Sequence, residues 1–97
     1  MTLNDQRRRI DEVDRELVRL LNRRAQMSIQ VVQLKKDASL PMWDKAREES
    51  ILQHVQRANP GPLDAPALVA IFQTILEESR RVITERLSER EAVNVAE

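Results

Sequence analysis

The stretch from about Leu3 or Asn4 to about Ala38 contains neither glycine nor proline, and it constrains the fold more than any other feature. A helix of this length is a rod of ~50 Å, whereas a compact globule of 97 residues is nearer ~35 Å across. The other segments of the chain cannot cover such a rod. We therefore predict a homodimer in which two long helices lie side by side. Apolar residues follow the helical period at Ile10, Val13, Leu17, Leu20, Leu21, Met27, Val31 and Leu34.

Two more helices are predicted after Pro41, which closes the first one. Asp44 is a candidate N-cap for the second helix, and Asp64 for the third. The turn sequence Asn59-Pro-Gly-Pro separates them, and Leu63 with Leu68 forms a hydrophobic staple at the start of the third. The expected fold is all-α, with three helices per chain, in a single domain over residues 1–97 whose polar tail, residues 88–97, frays.

Composition excludes several classes of function. Sixteen basic and sixteen acidic residues cancel, so no overall field draws the chain to nucleic acid or to an anionic membrane. There is no cysteine, and His54 is the only histidine, which argues against a metal site. The amino terminus lacks the apolar core of a signal peptide, and the longest apolar run, 67–72, is far too short to span a membrane. These features predict a cytoplasmic protein.

Charged residues on the apolar stripe of the first helix are the strongest indication of function. Arg24 and Lys35 are three helical turns apart and point in the same direction. Burying an unpaired cation costs several kcal/mol, so a stripe that does this twice indicates an anionic ligand. The alternative is that these cations pair with Asp14 or Glu16, or extend to solvent at the edge of the stripe.

Three polar residues of the other helices lie beside apolar faces and also have two readings. Arg47 and Glu48 precede Ile51 by one turn, where they could line a site or form an ordinary charged first turn. Ser79 lies between Ile75 and Val82, where its hydroxyl could face a ligand or bond to the preceding helical turn.

The ordered set of these residues resembles the all-helical chorismate mutases. The similarity covers nearly the whole chain, from about residue 6 to residue 83. It includes an aromatic-Asp-x-x-Arg-Glu segment after the Pro41 turn. The matching positions are Arg7, Ile10, Asp14, Leu20, Leu21, Arg24, Lys35, Asp44, Arg47, Glu48 and Ser79.

The resemblance implies a dimer with two equivalent sites that rearranges chorismate to prephenate without metal or cofactor. It implies that Arg7 and Arg24 bind the two carboxylates of the substrate and that Lys35 donates to its ether oxygen. Glu48 and the backbone at Asp44 would hold the ring hydroxyl. Ser79 would add a contact to a carboxylate, and Arg47 would support the site from just outside.

Spacing adds a constraint on the implied site. Arg7 and Arg24 are ~26 Å apart along one helix, so a small dicarboxylate cannot bridge them. If both serve one site, Arg7 must come from the partner subunit. Ile83 departs from the family pattern, because relatives commonly carry Gln or Glu there as a second contact to the ether oxygen.

Two other functions remain open at the level of sequence. Some helical relatives eliminate pyruvate from isochorismate, and the same cationic side chains would bind the carboxylates of that substrate. A dimerisation or regulatory module without activity is the other alternative, although it would not need Arg24 and Lys35 on a buried stripe.

Overall fold

Three helices make up the fold, and the prediction of an all-α chain is confirmed. The computed structural model describes the backbone of residues 1–96 and the side chains of residues 1–89. Helix α1 spans Leu3–Asp37, α2 spans Lys45–Ala58 and α3 spans Ala65–Ala96. No helix in this described part combines the length and hydropathy needed to cross a membrane.

Helix α1 begins at a capping box. The Thr2 hydroxyl accepts a hydrogen bond from the Asp5 backbone N–H at 3.1 Å, and the Asp5 carboxylate accepts one from the Thr2 N–H at 3.0 Å. The helix then runs for 35 residues. The chain extends 59 Å along its longest axis and has a radius of gyration of 17.4 Å, well above the ~13 Å expected of a compact globule of about this length.

The predicted caps of α2 and α3 are confirmed. The Asp44 carboxylate accepts from the Arg47 backbone N–H at 3.0 Å, and the Asp64 carboxylate accepts from Ala67 at 2.9 Å. Between the two helices, Gly61 takes a positive φ of 80°, which glycine adopts without a steric penalty. The turn is therefore fixed by local chemistry and sets the direction in which α3 returns.

Helix α3 packs against both α1 and α2, whereas the backbones of α1 and α2 do not approach each other within the described residues. The core is correspondingly small. Val32 of α1 and Ile83 of α3 are 5% and 4% exposed, and they are the only buried hydrophobic residues in the described part. Large apolar side chains of α1 stay exposed along its amino-terminal half, at Ile10, Val13, Leu17, Val18, Leu20 and Leu21.

The carboxyl-terminal helix is longer than the sequence predicted. We expected a frayed tail over residues 88–97, but the backbone of α3 remains helical to Ala96. The side chains after Glu89 and all of residue 97 lie outside the described residues. The run after Leu87 has no glycine or proline to end a helix, which explains the extension. Fraying of this tail in solution stays a prediction.

Removing the cap of α3 should destabilise the fold without touching any other helix. Asp64→Ala is expected to lower the free energy of unfolding by ~1 kcal/mol, because the Ala67 N–H loses its acceptor. Urea denaturation followed by circular dichroism at fixed protein concentration measures this. Glu77→Ala, an exposed change in the middle of α3, is the control. Equal unfolding midpoints for the two variants would contradict the prediction.

Candidate active site

A cleft of about 320 Å³ lies where α1 and α2 diverge above α3. Its walls come from the carboxyl-terminal half of α1, the segment before α2, the first two turns of α2, and the middle of α3. The lining residues are Arg24, Met27, Ser28, Val31, Val32, Lys35, Met42, Trp43, Asp44, Arg47, Glu48, Ile51, Leu76, Ser79, Arg80 and Ile83. The cleft therefore contains every site residue expected from the sequence except Arg7.

Three cations of this cleft have no acidic partner. Arg24, Lys35 and Arg47 form no ion pair with any carboxylate among the described residues. Burial lowers the pKa of the Arg24 guanidinium, and the nearby charge of Arg47 lowers that pKa further. Both effects disfavour the cation, and the negative charge of a bound anion would offset them. The alternative of pairing with Asp14 or Glu16 is not observed, since Glu16 pairs with Arg19 instead.

Lys35 connects α1 to the segment that leads into α2. Its Nζ donates to the carbonyl oxygen of Met42 at 3.4 Å, and the ammonium is partly buried. This weak bond leaves at least two of the three N–H donors for a ligand. The Ser28 hydroxyl, one helical turn before Val32, donates to the Arg24 carbonyl at 3.0 Å. Its proton is therefore not available for a hydrogen bond to a ligand.

Glu48 is the acidic residue of the cleft that makes a long-range ion pair. Arg80 Nε of α3 donates to Glu48 Oε1 at 3.0 Å, and Arg80 Nη2 donates to the same oxygen. The Glu48 backbone N–H donates to the Asp44 carbonyl at 3.1 Å, as the first hydrogen bond of α2. Glu48 is thus held from two sides, by its own helix and by α3.

The Ser79 hydroxyl is not bonded to the preceding turn. Thr74, on the same helix, donates back to the Ala70 carbonyl at 3.1 Å, but Ser79 makes no hydrogen bond with any described residue. Because Ser79 lines the cleft and is partly buried, its hydroxyl is available to a ligand. Of the two readings of this residue, the structure favours the one in which it faces a site.

Arg7 and Ile83 have contrasting positions. Arg7 is exposed on the amino-terminal half of α1, away from the cleft of its own chain. Ile83 lines the cleft and is buried with Val32 at its floor. Thr84, the next residue along α3, is exposed and does not line the cleft.

Arg80 is the cleft residue that the sequence reasoning did not single out. Arg80 is adjacent to Arg81, and in a chain without net charge such a basic pair does not by itself indicate a ligand. Yet Leu76, Arg80 and Ile83 follow the helical spacing of one face. The rule that singled out Arg24 and Lys35, a charge on an apolar stripe, would have found Arg80 as well.

Comparison with known proteins identifies the family to which the fold belongs. The family model for chorismate mutase type II matches residues 6–84. Over 78 residues the chain is 35% identical to a bifunctional chorismate mutase/prephenate dehydratase of Aquifex aeolicus, covering 76% of this chain and 22% of that protein. The chain spans about a fifth of the length of the bifunctional relatives it matches.

Two relatives of similar length extend the comparison. A chorismate mutase of Methanocaldococcus jannaschii is 25% identical over 89 residues, which is 91% of this chain and 90% of that protein. The structure of a chorismate mutase from Thermus thermophilus superposes with a TM-score of 0.80 at 29% identity, covering 84% of this chain and 93% of the other. The sequence resemblance is thereby confirmed: this chain belongs to the chorismate mutase type II family.

Proposed function

We propose that this chain is a chorismate mutase, which converts chorismate to prephenate. The observation that carries the proposal is the cluster of Arg24, Lys35 and Arg47 in one cleft without an acidic partner among the described residues. The reaction is an intramolecular rearrangement. The ether C–O bond breaks as a C–C bond forms, so no atom enters or leaves and no nucleophile is required. A site of this kind needs only to bind, fold and polarise its substrate.

The cations of the cleft match the charge of chorismate, which is a dianion. Arg24 would bind one carboxylate through two parallel hydrogen bonds, for which a guanidinium is better shaped than an ammonium. Arg47 reinforces the field beside it, and Ser79 adds a neutral donor. Holding an extended, flexible substrate in the compact conformer that reacts removes entropy from the barrier. The apolar side chains of the cleft exclude water around that conformer.

Lys35 is the residue we assign to the reacting bond. Negative charge grows on the ether oxygen as its bond to carbon breaks, and a fixed ammonium in a partly buried cleft stabilises that charge. The weak bond from Lys35 to the Met42 carbonyl holds the ammonium near the cleft beforehand. Glu48 and the backbone at Asp44 would accept and donate hydrogen bonds at the ring hydroxyl.

A homodimer would complete the site with Arg7 of the partner subunit. In an antiparallel two-fold pairing, Arg7 of one chain lies beside the Arg24–Lys35 segment of the other only if the axis crosses near Leu17 and Val18. These two residues are 51% and 59% exposed in the single chain and lie amid the exposed apolar face of α1. The same pairing would therefore bury that face and supply the missing arginine.

The purified chain should form prephenate from chorismate, and the activity should depend on the unpaired cations. We expect Lys35→Ala and Arg24→Ala each to lower kcat/KM by at least ~10²-fold, the scale seen when one electrostatic donor to a developing charge is lost. The measurement is steady-state chorismate consumption, with circular dichroism to verify folding.

Adjacent residues of the same type provide matched controls. Lys36→Ala and Arg23→Ala remove exposed cations that do not line the cleft and should leave kcat/KM within about threefold of wild type. If Lys36→Ala lowered kcat/KM as much as Lys35→Ala, and Arg23→Ala as much as Arg24→Ala, the assignment of Lys35 and Arg24 to the site would be contradicted. Pyruvate release from isochorismate, without prephenate formation from chorismate, would identify the lyase instead. Turnover of neither substrate would indicate a non-catalytic module.

The shared site can be tested by complementation between inactive chains. Arg7→Ala and Arg24→Ala homodimers should both be nearly inactive, but after subunit exchange half of a statistical mixture is hybrid. Each hybrid would carry one site with both arginines and one with neither, so about a quarter of the wild-type sites should be restored. Sedimentation velocity establishes that the species are dimers. A mixture that exchanges subunits yet gains no activity would rule out a site shared in this way.

Ile83 is expected to limit the rate. An apolar side chain cannot donate to the ether oxygen, and one such hydrogen bond to a charge-developing atom contributes ~2–3 kcal/mol. Ile83→Gln should therefore raise kcat more than it changes KM, because the new contact strengthens only as charge develops. Ile83→Met is the control, since it changes shape in the same buried position without adding a donor. If Ile83→Gln forms a folded dimer with unchanged or lower kcat, another group reaches the oxygen.

A further inference from the structure

Arg80 has no role in the proposed reaction, yet among the residues whose side chains the structure describes it forms the one ion pair that joins two helices. The other ion pairs between described residues join positions three or four apart on one helix, as ordinary surface pairs do. The Arg80–Glu48 pair instead joins α3 to α2 across 32 positions of sequence. It is also less exposed than those pairs, at 43% for the Arg80 side chain and 26% for Glu48.

The geometry of this pair is asymmetric. Both donors of Arg80, Nε and Nη2, converge on Oε1 of Glu48. The other oxygen, Oε2, makes no hydrogen bond with any described residue. Arg80 therefore fixes the orientation of the carboxylate while one oxygen stays available for a ligand.

The surroundings of Glu48 explain why its carboxylate needs fixing. A sphere of the cleft's volume is about 8.5 Å across, comparable to the ~8 Å Debye length at physiological ionic strength. An ionised Glu48 in that space is attracted by all three unpaired cations. A carboxylate released from Arg80 would pair with one of them and occupy a donor that an anionic substrate requires.

We propose that Arg80 is a positioning residue that holds Glu48 on the α3 wall and thereby keeps the cleft cations free to bind an anionic substrate. Arg80 acts through Glu48 and does not itself contact the substrate. The identity of that substrate as chorismate rests on the proposed function, but the positioning role requires only that the cleft binds a small dianion.

Binding of a small dicarboxylate, malonate, tests the positioning role of Arg80 separately from the proposed mutase function. Malonate has no ring hydroxyl and undergoes no rearrangement, so its affinity reports only on the cations. Trp43, the single tryptophan of the chain, lines the cleft and provides a fluorescence signal for the titration. We expect Arg80→Met to weaken malonate binding by about tenfold. The double variant Arg80→Met with Glu48→Gln should bind malonate within about twofold of wild type, because a neutral amide does not pair with the cations.

The matched control uses the neighbouring arginine. Arg81 pairs with Glu78 on the exposed face of α3, so Arg81→Met with and without Glu78→Gln repeats the same change of charge outside the cleft. Neither control should alter malonate affinity by more than about twofold. A crystal structure of Arg80→Met should show the Glu48 carboxylate bonded to Arg24, Lys35 or Arg47.

Several outcomes would overturn the positioning role. These are unchanged malonate binding in Arg80→Met, no recovery on adding Glu48→Gln, a Glu48 that stays in place in the crystal structure, or no malonate binding by the wild type. Malonate binding that follows the expected pattern in a chain that does not turn over chorismate would support Arg80 as assigned and refute the mutase function alone.

Discussion

The packing of α3 against both other helices is the interaction on which the rest of the molecule depends. Since the backbones of α1 and α2 do not approach each other within the described residues, their distance depends on the packing of both helices against α3 and on the short segment that links them. The space between α1 and α2 above α3 forms the cleft. Arg24 and Lys35 come from α1, whereas Arg47 and Glu48 come from the first turn of α2. Ile83 of α3 lies at the floor. A shift of α3 along its axis would therefore move Ser79, Arg80 and Ile83 relative to the cleft residues of α1 and α2.

Local chemistry made much of this architecture predictable. Asp44 and Asp64 predict the starts of α2 and α3, because each carboxylate accepts a hydrogen bond from a backbone N–H that has no partner within the helix. The residues expected in the site, apart from Arg7, meet in one cleft because helical periodicity places them on faces that α3 brings together. Arg7 lies apart, as its spacing from Arg24 required, and the role proposed for it requires a second chain.

Other features depend on geometry that spacing along the chain does not determine. The pairing of Glu48 with Arg80 follows from how α2 lies on α3, and no local pattern links positions so far apart. The Ser79 hydroxyl had two local options, and only the packed structure separates it from Thr74, which bonds to its own helix. The backbone of α3 is helical to Ala96 because the segment after Leu87 lacks a helix-breaking residue, whereas its polarity predicts fraying in solution.

Like charges held together without a counter-ion also affect how long the protein survives. Burial lowers the pKa of Arg24, and repulsion by the nearby charge of Arg47 lowers it further, so the fold holds this cation at an electrostatic cost. An anion that binds only the folded chain removes this repulsion and stabilises the fold by RT ln(1 + [L]/Kd), which is ~2.7 kcal/mol at a hundredfold excess over Kd. Resistance to proteolysis would then rise and fall with the supply of substrate. The fraction of unfolded chain exposed to proteases would therefore depend on the concentration of the anion that the cleft binds.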